Sequence, residues 1–170
     1  LKKIEAYNTR EEKPTKWTSK INSEPDYLKK MISEKNGNVI MLSGNNQKKT
    51  DYILTAIENG FNVYSDKPMV ISPEEYSTLK KAFKLAQEKN LVIYDIMTER
   101  SEITTELQKE LAHNSEVFGK LILGSEEEPA ITKESVHHFF KYVSGQPLIR
   151  SSWFFDTKQQ GEGIADVTSH

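Results

Sequence analysis

Cysteine is missing from the 170-residue sequence, which excludes disulfide bonds and thiolate metal sites but leaves the compartment open. Long apolar runs are missing too: none approaches the roughly 18 residues of a membrane-spanning helix. Charge of one sign is not in excess, because the formal net charge is only −2. The sequence therefore gives no reason to expect a membrane span, an anionic membrane surface or a nucleic acid as partner.

The residues that are present are typical of a globular protein, with 36% hydrophobic and 28% charged residues. Short apolar runs at 38–44, 61–66 and 91–97 alternate with amphipathic segments at 47–59 and 72–90. The run 38–44 has the look of a strand covered on both faces. Strand–helix repeats with short links predict a parallel sheet with right-handed crossovers. The fold class is therefore α/β.

The flanking regions have a looser pattern. We predict a helix tail or short strand at 1–8, a polar loop at 9–24 and a helix at 26–35, all before the first long apolar run. After residue 100 the predicted elements are a helix at 101–113, a strand at 117–124, a loop with Glu126 to Glu128, a helix at 132–143, a loop with Gly145 and Pro147, and a helix start at 164–170. We place a domain boundary between 1–100 and 101–170.

Both ends of the chain lack the usual signals. The first residue is Leu1 rather than methionine, and the final stretch 164–170 has a helical pattern without a stop signal. We expect the chain to be an internal fragment of a longer protein.

Polar residues follow each predicted strand of the first half. They are Ser43-Gly44-Asn45-Asn46, Asp66-Lys67-Pro68 and the stretch 94–100. Pro68 cannot donate to a sheet, so the strand must end at Lys67 and leave an ammonium group at its carboxyl end. Because ligands bind outside the carboxyl ends of parallel strands, these residues predict one site.

Asp166 and His170 are spaced i, i+4, which places them on one face of a helix. An imidazole beside a carboxylate can take up and release a proton near neutral pH. A simple surface pair is the alternative. Gly161 and Gly163 just before the helix favour a site, since glycine permits close approach to a ligand or to a neighbouring loop.

His137 and His138 are adjacent, so a helix would point them about 100° apart and they could not bind one metal ion together. Packing or surface positions are the simpler interpretation, and we predict no metal site. Trp153, Phe154 and Phe155 are interpreted as core or interface residues.

The stretch 39–68 also resembles the last third of a response-regulator receiver domain, in which a strand ends in Lys-Pro. Receivers need an apolar strand ending in a phosphoacceptor aspartate some 25–30 residues before Ser43, and residues 10–25 are a polar loop instead. The chain also continues far beyond the Lys-Pro turn, so we reject this interpretation.

A second resemblance covers more of the chain. Residues 38–100 and 153–170 resemble the glucose-fructose oxidoreductase / inositol dehydrogenase (Gfo/Idh/MocA) family, and 114–147 resembles an oxidoreductase-like branch seen in Bacteroides-type bacteria. The residues that carry the resemblance are Ser43-Gly44-Asn45, Asn59-Gly60, Asp66-Lys67-Pro68, Trp153, Gly161-Glu162-Gly163, Asp166 and His170. Asp66 replaces the usual glutamate and Glu162 the usual middle glycine.

The resemblance implies the distal part of a Rossmann-like domain followed by the start of an α/β (α+β) substrate domain. It implies hydride transfer between NAD or NADP and a carbinol carbon of a sugar or cyclitol. The implied catalytic residues are Lys67, Asp166 and His170, the implied cofactor-binding residues are Ser43, Asn45, Asn46, Asp66, Lys67 and Pro68, and the implied substrate-binding residues are Arg100, Trp153, Asp166 and His170.

Two further functions stay open: an NAD-dependent glycoside hydrolase of the same family, and a ligand-binding or regulatory protein without turnover. The phosphate-binding glycine turn would lie upstream of Leu1, so we expect the fragment alone to be inactive. For the full-length protein we expect a homo-oligomer, a small sugar-like substrate, and the cytoplasm or periplasm as compartment.

Overall fold

The computed structural model describes residues 2–18, 23–132, 139–143 and 145–167. The chain divides into two compact units, residues 1–36 and residues 37–170.

The first unit contains helices α1 (Lys2–Thr9) and α2 (Tyr27–Glu34). The segment after α1 folds back on it, because the Asn8 side chain accepts hydrogen bonds from the Thr15 hydroxyl at 2.6 Å and the Trp17 amide at 2.9 Å. The rings of Tyr7 and Trp17 lie 5.2 Å apart. Residues 2–8 of the ambiguous stretch 1–8 are thus helical, and the predicted helix at 26–35 is confirmed to within one residue at each end.

The second unit begins with the predicted alternation of strands and helices. Strands β1 (Val39–Leu42), β2 (Asn62–Ser65) and β3 (Ile93–Asp95) form a parallel sheet in the order β1-β2-β3. Helices α3 (Lys49–Glu58) and α4 (Tyr76–Glu88) connect them. The α/β fold class and the parallel Rossmann-like sheet are confirmed.

The core of this unit lies among α3, α4 and the central strand. Its fully or nearly fully buried residues are Ile53, Ala56, Ile57, Phe61, Val63, Leu79, Ala82 and Ala86. Small alanine side chains let the two helices approach each other, while the isoleucines fill the space against the sheet. Fully burying one such large aliphatic side chain stabilises the fold by about 1.5–3 kcal/mol.

The other face of the sheet is exposed. Met41, Tyr64 and Tyr94 are register neighbours across the three strands and are 67%, 40% and 57% exposed. The prediction that the first strand is covered on both faces is therefore wrong for the described residues. The continuous apolar run predicted a strand correctly but could not tell which face finds a partner.

The start of α4 differs from the prediction as well. Residues 73–75 form a turn and the helix begins at Tyr76. The Ser72 hydroxyl still accepts a hydrogen bond from the Glu75 amide at 3.4 Å, and the Glu75 carboxylate accepts one from the Ile71 amide at 3.2 Å. These two hydrogen bonds order the turn that leads into the helix.

After β3 a 3-10 turn at Thr98–Ser101 leads into α5 (Ile103–His113), close to the predicted helix. The predicted strand at 117–124 is wrong: Ser115–Phe118 is a short helix, α6, and 119–124 has no regular structure. No strand among the described residues lies beside this stretch to pair with it, so its β propensity goes unused.

The predicted helix at 132–143 is also wrong where it can be compared. Strand β4 (Phe140–Val143) pairs antiparallel with β5 (Gln146–Ile149), and residues 133–138 lie outside the described residues. Pro147 is part of β5 rather than of a loop. Aromatic and β-branched side chains alternating along β4 suit a hairpin better than a helix.

The chain ends in a series of short turns: a 3-10 turn at Ser152–Phe155, α7 (Thr157–Gln160) and α8 (Gly163–Asp166). The Asp156 carboxylate caps α7 by accepting from the Lys158 amide at 3.0 Å. None of the helices within the described ranges combines the length and apolarity that crossing a bilayer requires.

Candidate functional site at the carboxyl edge of the sheet

Parallel pairing brings the carboxyl ends of β1, β2 and β3 to one edge of the sheet. Ser43 follows β1, Asp66 and Lys67 follow β2, and the 3-10 turn with Arg100 follows β3. The Asp66 carboxylate accepts a hydrogen bond from the Lys67 amide at 2.9 Å, which tightens the turn after β2. This edge carries the candidate site.

Lys67 contacts Asp166, ninety-nine positions later in the chain. The two side chains form an ion pair with Nζ and Oδ1 3.2 Å apart, and the ammonium also donates to the backbone oxygen of Asp166. The side chains are only 12% and 6% exposed, so water screens the pair less than it would at the surface. The segment 157–167 is thereby anchored at the carboxyl end of β2.

A chain of buried amides continues from Asp166. The Gln160 side chain donates to the Asp166 carboxylate at 3.1 Å, and the Gln160 backbone oxygen accepts from the Asn46 side chain at 2.9 Å. Gln160 and Asn46 are 8% and 3% exposed. The Gln160 amide oxygen is buried and, within the described part of the chain, has no hydrogen-bond partner.

Lys49 completes this network. Lys49 is only 2% exposed. Its ammonium donates to the Asn46 amide oxygen at 2.7 Å. It also donates to the backbone oxygens of Asp66 and Lys67, at 3.2 and 3.4 Å. Burial lowers the pKa of Lys49. The Asp66 carboxylate raises this pKa and partly offsets the effect of burial, whereas the positive charge of Lys67 lowers it further.

Sequence reasoning missed Lys49 and Gln160. Lys49 stands in the polar run Gln47-Lys48-Lys49, which reads as an exposed helix start. One signal was available: Lys49 lies four residues before Ile53, on the apolar face of α3. Gln160 offered no comparable signal, because its burial depends on a contact with a distant segment.

The predicted cofactor-binding residues fall into two groups. Ser43 and Asn45 are exposed, whereas Asn46 and Pro68 are buried. Asn45 accepts a hydrogen bond from the Gln47 amide at 2.9 Å and donates to the Gln159 side chain at 3.2 Å. Both asparagines have hydrogen-bonded amides, but Asn46 is buried in the internal network whereas Asn45 is exposed.

Those predicted substrate-binding residues that the structure describes lie on different elements of the second unit. Arg100 pairs with Asp95 at 3.0 Å beyond the end of β3. Trp153 lies on the 3-10 turn before α7, 38% exposed and in ring contact with Phe154. His170 lies outside the described residues, as do His137 and His138.

Gly161 is the glycine of the predicted turn that makes a close approach. Its φ and ψ are 94° and 166°, a backbone region that is essentially restricted to glycine. A Cβ atom there would come within 2.9 Å of Ile71 Cγ2. The neighbour is therefore a loop of the sheet domain. A Cβ atom at Gly163 would meet nothing within 4 Å.

Two cavities lie near this edge. One of about 420 Å³ is lined by Tyr64, Tyr94, Asp95, Met97, Thr98 and Ser101 at the ends of β2 and β3. Another of about 450 Å³ lies beside the segment 157–162 and includes Gln47, Ser72, Glu75 and Lys158. In the part of the chain that the structure describes, no three His, Cys, Asp or Glu side chains come together as metal ligands.

Two family models match the chain. "Oxidoreductase family, NAD-binding Rossmann fold" matches residues 3–97, and "Putative oxidoreductase C terminal domain" matches residues 107–170. No curated protein sequence gives a significant match.

Solved structures give further similarity. A "putative oxidoreductase" from Parabacteroides merdae ATCC 43184 is 53% identical over 99% of this chain, with a TM-score of 0.86. Biliverdin reductase from Synechocystis sp. PCC 6803, in complex with biliverdin and NADP+, is 16% identical over 84% of the chain and 39% of its own length, with a TM-score of 0.55. The WlbA dehydrogenase from Bordetella pertussis, in complex with NADH and UDP-GlcNAcA, is 20% identical over 52% of the chain and 26% of its own length, with a TM-score of 0.44.

The chain spans 38% of the length of the Parabacteroides protein. The first family model covers residues 3–97, more than half of the chain, and this range contains the parallel sheet and its two connecting helices. The chain belongs to the Gfo/Idh/MocA family of oxidoreductases with an NAD-binding Rossmann fold.

Proposed function

We propose that the full-length protein is an NAD(P)-dependent oxidoreductase that transfers a hydride between the nicotinamide and a hydroxyl-bearing carbon of a sugar or cyclitol. The observation that carries this proposal is the largely buried ion pair of Lys67 and Asp166 at the carboxyl edge of a parallel sheet. The division into a cofactor part at 1–100 and a substrate part at 101–170 belongs to the proposal. The spans of the two family models support it.

The residues at this edge fit the nicotinamide end of such a cofactor. Ser43 and Asn45 lie on the turn after β1 and are exposed. Their hydroxyl and amide groups are polar groups with which a ribose can form hydrogen bonds. A Cβ atom at Gly44, between these two residues, would meet nothing within 4 Å. NAD(P), when bound, supplies or accepts the hydride.

Lys67 would polarise the reacting carbon–oxygen group. An ammonium has three N–H donors, and Asp166 takes two of them. The third would donate to the substrate oxygen and stabilise the negative charge that develops on it. Asp166 would fix the direction of the ammonium, so that little reorganisation is needed when the charge develops. His170 would exchange the hydroxyl proton with solvent.

The test is a comparison of matched lysine variants of the full-length protein. Lys67→Met should lower kcat at least about 10²-fold, the usual cost of losing one preorganised donor, with the KM for NAD(P) changed less than about threefold. Lys84→Met removes a lysine whose side chain is 80% exposed and should leave both constants unchanged. The assay follows NADH and NADPH formation with a panel of sugars and cyclitols.

If Lys67→Met keeps its activity within a fewfold, the role of Lys67 is wrong. If the wild-type protein binds neither NADH nor NADPH, the oxidoreductase proposal fails. Release of the leaving group from a chromogenic glycoside would favour the glycoside hydrolase instead.

A further inference from the structure

We propose that Lys49 is the positioning residue of the Lys67–Asp166 pair. Its buried ammonium holds the turn that carries Lys67 and, through Asn46 and Gln160, the segment that carries Asp166. The inference rests on the proposed function only for the consequence in turnover, because the positioning itself is a property of the contacts.

The first arm of this arrangement reaches the strand-end turn directly. The ammonium donates to the backbone oxygens of Asp66 and Lys67, at 3.2 and 3.4 Å. These two carbonyl groups lie on either side of the Lys67 Cα atom, from which the side chain starts. A cation bonded to both restricts the rotation of that peptide, and with it the direction of the Lys67 side chain.

The second arm reaches Asp166 through two amides. The Lys49 ammonium donates to the Asn46 amide oxygen at 2.7 Å, so the amide nitrogen of Asn46 must point the other way, where it donates to the Gln160 backbone oxygen at 2.9 Å. The Gln160 side chain then donates to the Asp166 carboxylate at 3.1 Å. Both members of the ion pair are thus tied to one ammonium.

A purely structural interpretation explains this residue poorly. Lys49 is on the apolar face of α3, where a methionine or leucine would pack without any loss of hydration. An ammonium removed from water is costly unless its hydrogen bonds are all well made. The lowered pKa of Lys49 reflects that cost. Two of the three acceptors are on the turn that carries Lys67, and the third, Asn46, is bonded to the segment that carries Asp166, so the charge serves the site rather than the helix.

The experiment combines kinetics with the reactivity of individual lysines in the full-length protein. Lys49→Met keeps the side-chain length and removes all donors, and the neighbouring exposed Lys48→Met is the matched control. Acylation by acetic anhydride is followed by mass spectrometry at Lys67 and at Lys89. Lys89 bonds the Glu58 oxygen at the far end of α3, at 2.6 Å, and reports on the helix as a whole.

In Lys49→Met we expect Lys67 to react at least about fivefold faster, because local opening is easier, with Lys89 unchanged. We expect kcat to fall at least about tenfold with the KM for NAD(P) unchanged, since misplacement affects the reacting groups and not cofactor binding. Lys48→Met should behave as wild type in both measurements.

An unchanged rate at Lys67 in folded Lys49→Met overturns the inference, and so does an equal rise at Lys67 and Lys89, which would make Lys49 a support of the helix. A rise at Lys67 alone, in a protein without hydride transfer, supports the positioning and rejects the oxidoreductase proposal. If Lys49→Met does not fold, Asn46→Ala cuts the second arm only. We then expect a rise of about twofold at Lys67, and no rise overturns the inference.

Discussion

Two stretches of the same compact unit differ in how far they bury their apolar side chains. In residues 37–97, helices α3 and α4 bury theirs against each other and against β2. In residues 103–149, every described residue except Ala112 is exposed, including Phe118 at 69% and Ile122 at 78%. Similar sequence periodicity therefore gives a core only where successive strand–helix units supply each other's partners. An amphipathic element without a neighbour contributes little to stability.

Shortening one aliphatic side chain in each stretch should show the difference in burial as a difference in stability. In the 170-residue chain, Ile57→Ala should lower the free energy of unfolding by about 2–5 kcal/mol, because the fully buried side chain leaves a cavity. Leu123→Ala should change it by less than about 0.5 kcal/mol, because that side chain is fully exposed. Urea unfolding measures both. An equal loss at Leu123 would show that residues 103–149 bury this side chain after all.

Two glycines, one in contact with a neighbouring loop and one not, provide a second test of the same difference. Gly161 and Gly119 share a backbone region that other residues rarely adopt, with φ of 94° and 75° and ψ of 166° and −164°. Alanine at either position should cost about 1–3 kcal/mol of backbone strain. Only the Gly161→Ala side chain would also contact a neighbour, Ile71. This overpacking should lower the free energy of unfolding by about 1–3 kcal/mol more. Thermal unfolding of the two variants gives the difference, and equal losses would mean that the loop at Ile71 yields freely.

The smallest expected effect is a difference of slope with pH. Folding lowers the pKa of Lys49 below the ordinary lysine value of about 10.4, chiefly through burial. Between the two values the unfolded chain binds more protons than the folded one, so the free energy of unfolding should rise with pH there. The charged groups that act on Lys49 are Asp66, Lys67 and Asp166.

In Lys49→Met this rise should be absent. The measurement is the difference in the free energy of unfolding between wild type and variant, followed from about pH 7 to about pH 10. Wild type should gain on the variant as pH increases. Parallel curves would mean that Lys49 keeps an ordinary affinity for its proton in the fold.

The sequence was sufficient for the sheet and insufficient for what lies beyond it. The strands at 38–44, 61–66 and 91–97 were predictable because short apolar runs that alternate with amphipathic helices have few alternative arrangements. The error at 117–124 arose because strand propensity needs a pairing partner, and the pattern does not say whether one exists. The error at 140–143 arose because Phe140 and Val143 fit either period over so few residues.

The site was predictable to the same degree. Convergence of the strand ends follows from parallel topology, and the approach of Asp166 to Lys67 was expected from the two sequence blocks together. The network behind that ion pair was not predictable. Asn46 and Gln160 are buried by contacts between segments more than a hundred positions apart, and single-residue patterns carry no trace of such contacts. The sugar-like substrate, the roles of individual residues and the homo-oligomer remain predictions.

The position of the two tryptophans has a practical consequence for spectroscopy. Trp17 stacks near Tyr7 within residues 1–36, whereas Trp153 lies on the turn that precedes α7 in the other compact unit. Each unit thus contains one indole, and the chain has only these two. Emission from a Trp153→Phe protein reports the first unit alone, and emission from a Trp17→Phe protein reports the second. The chain carries its own pair of optical labels for asking whether its two units melt together or in sequence.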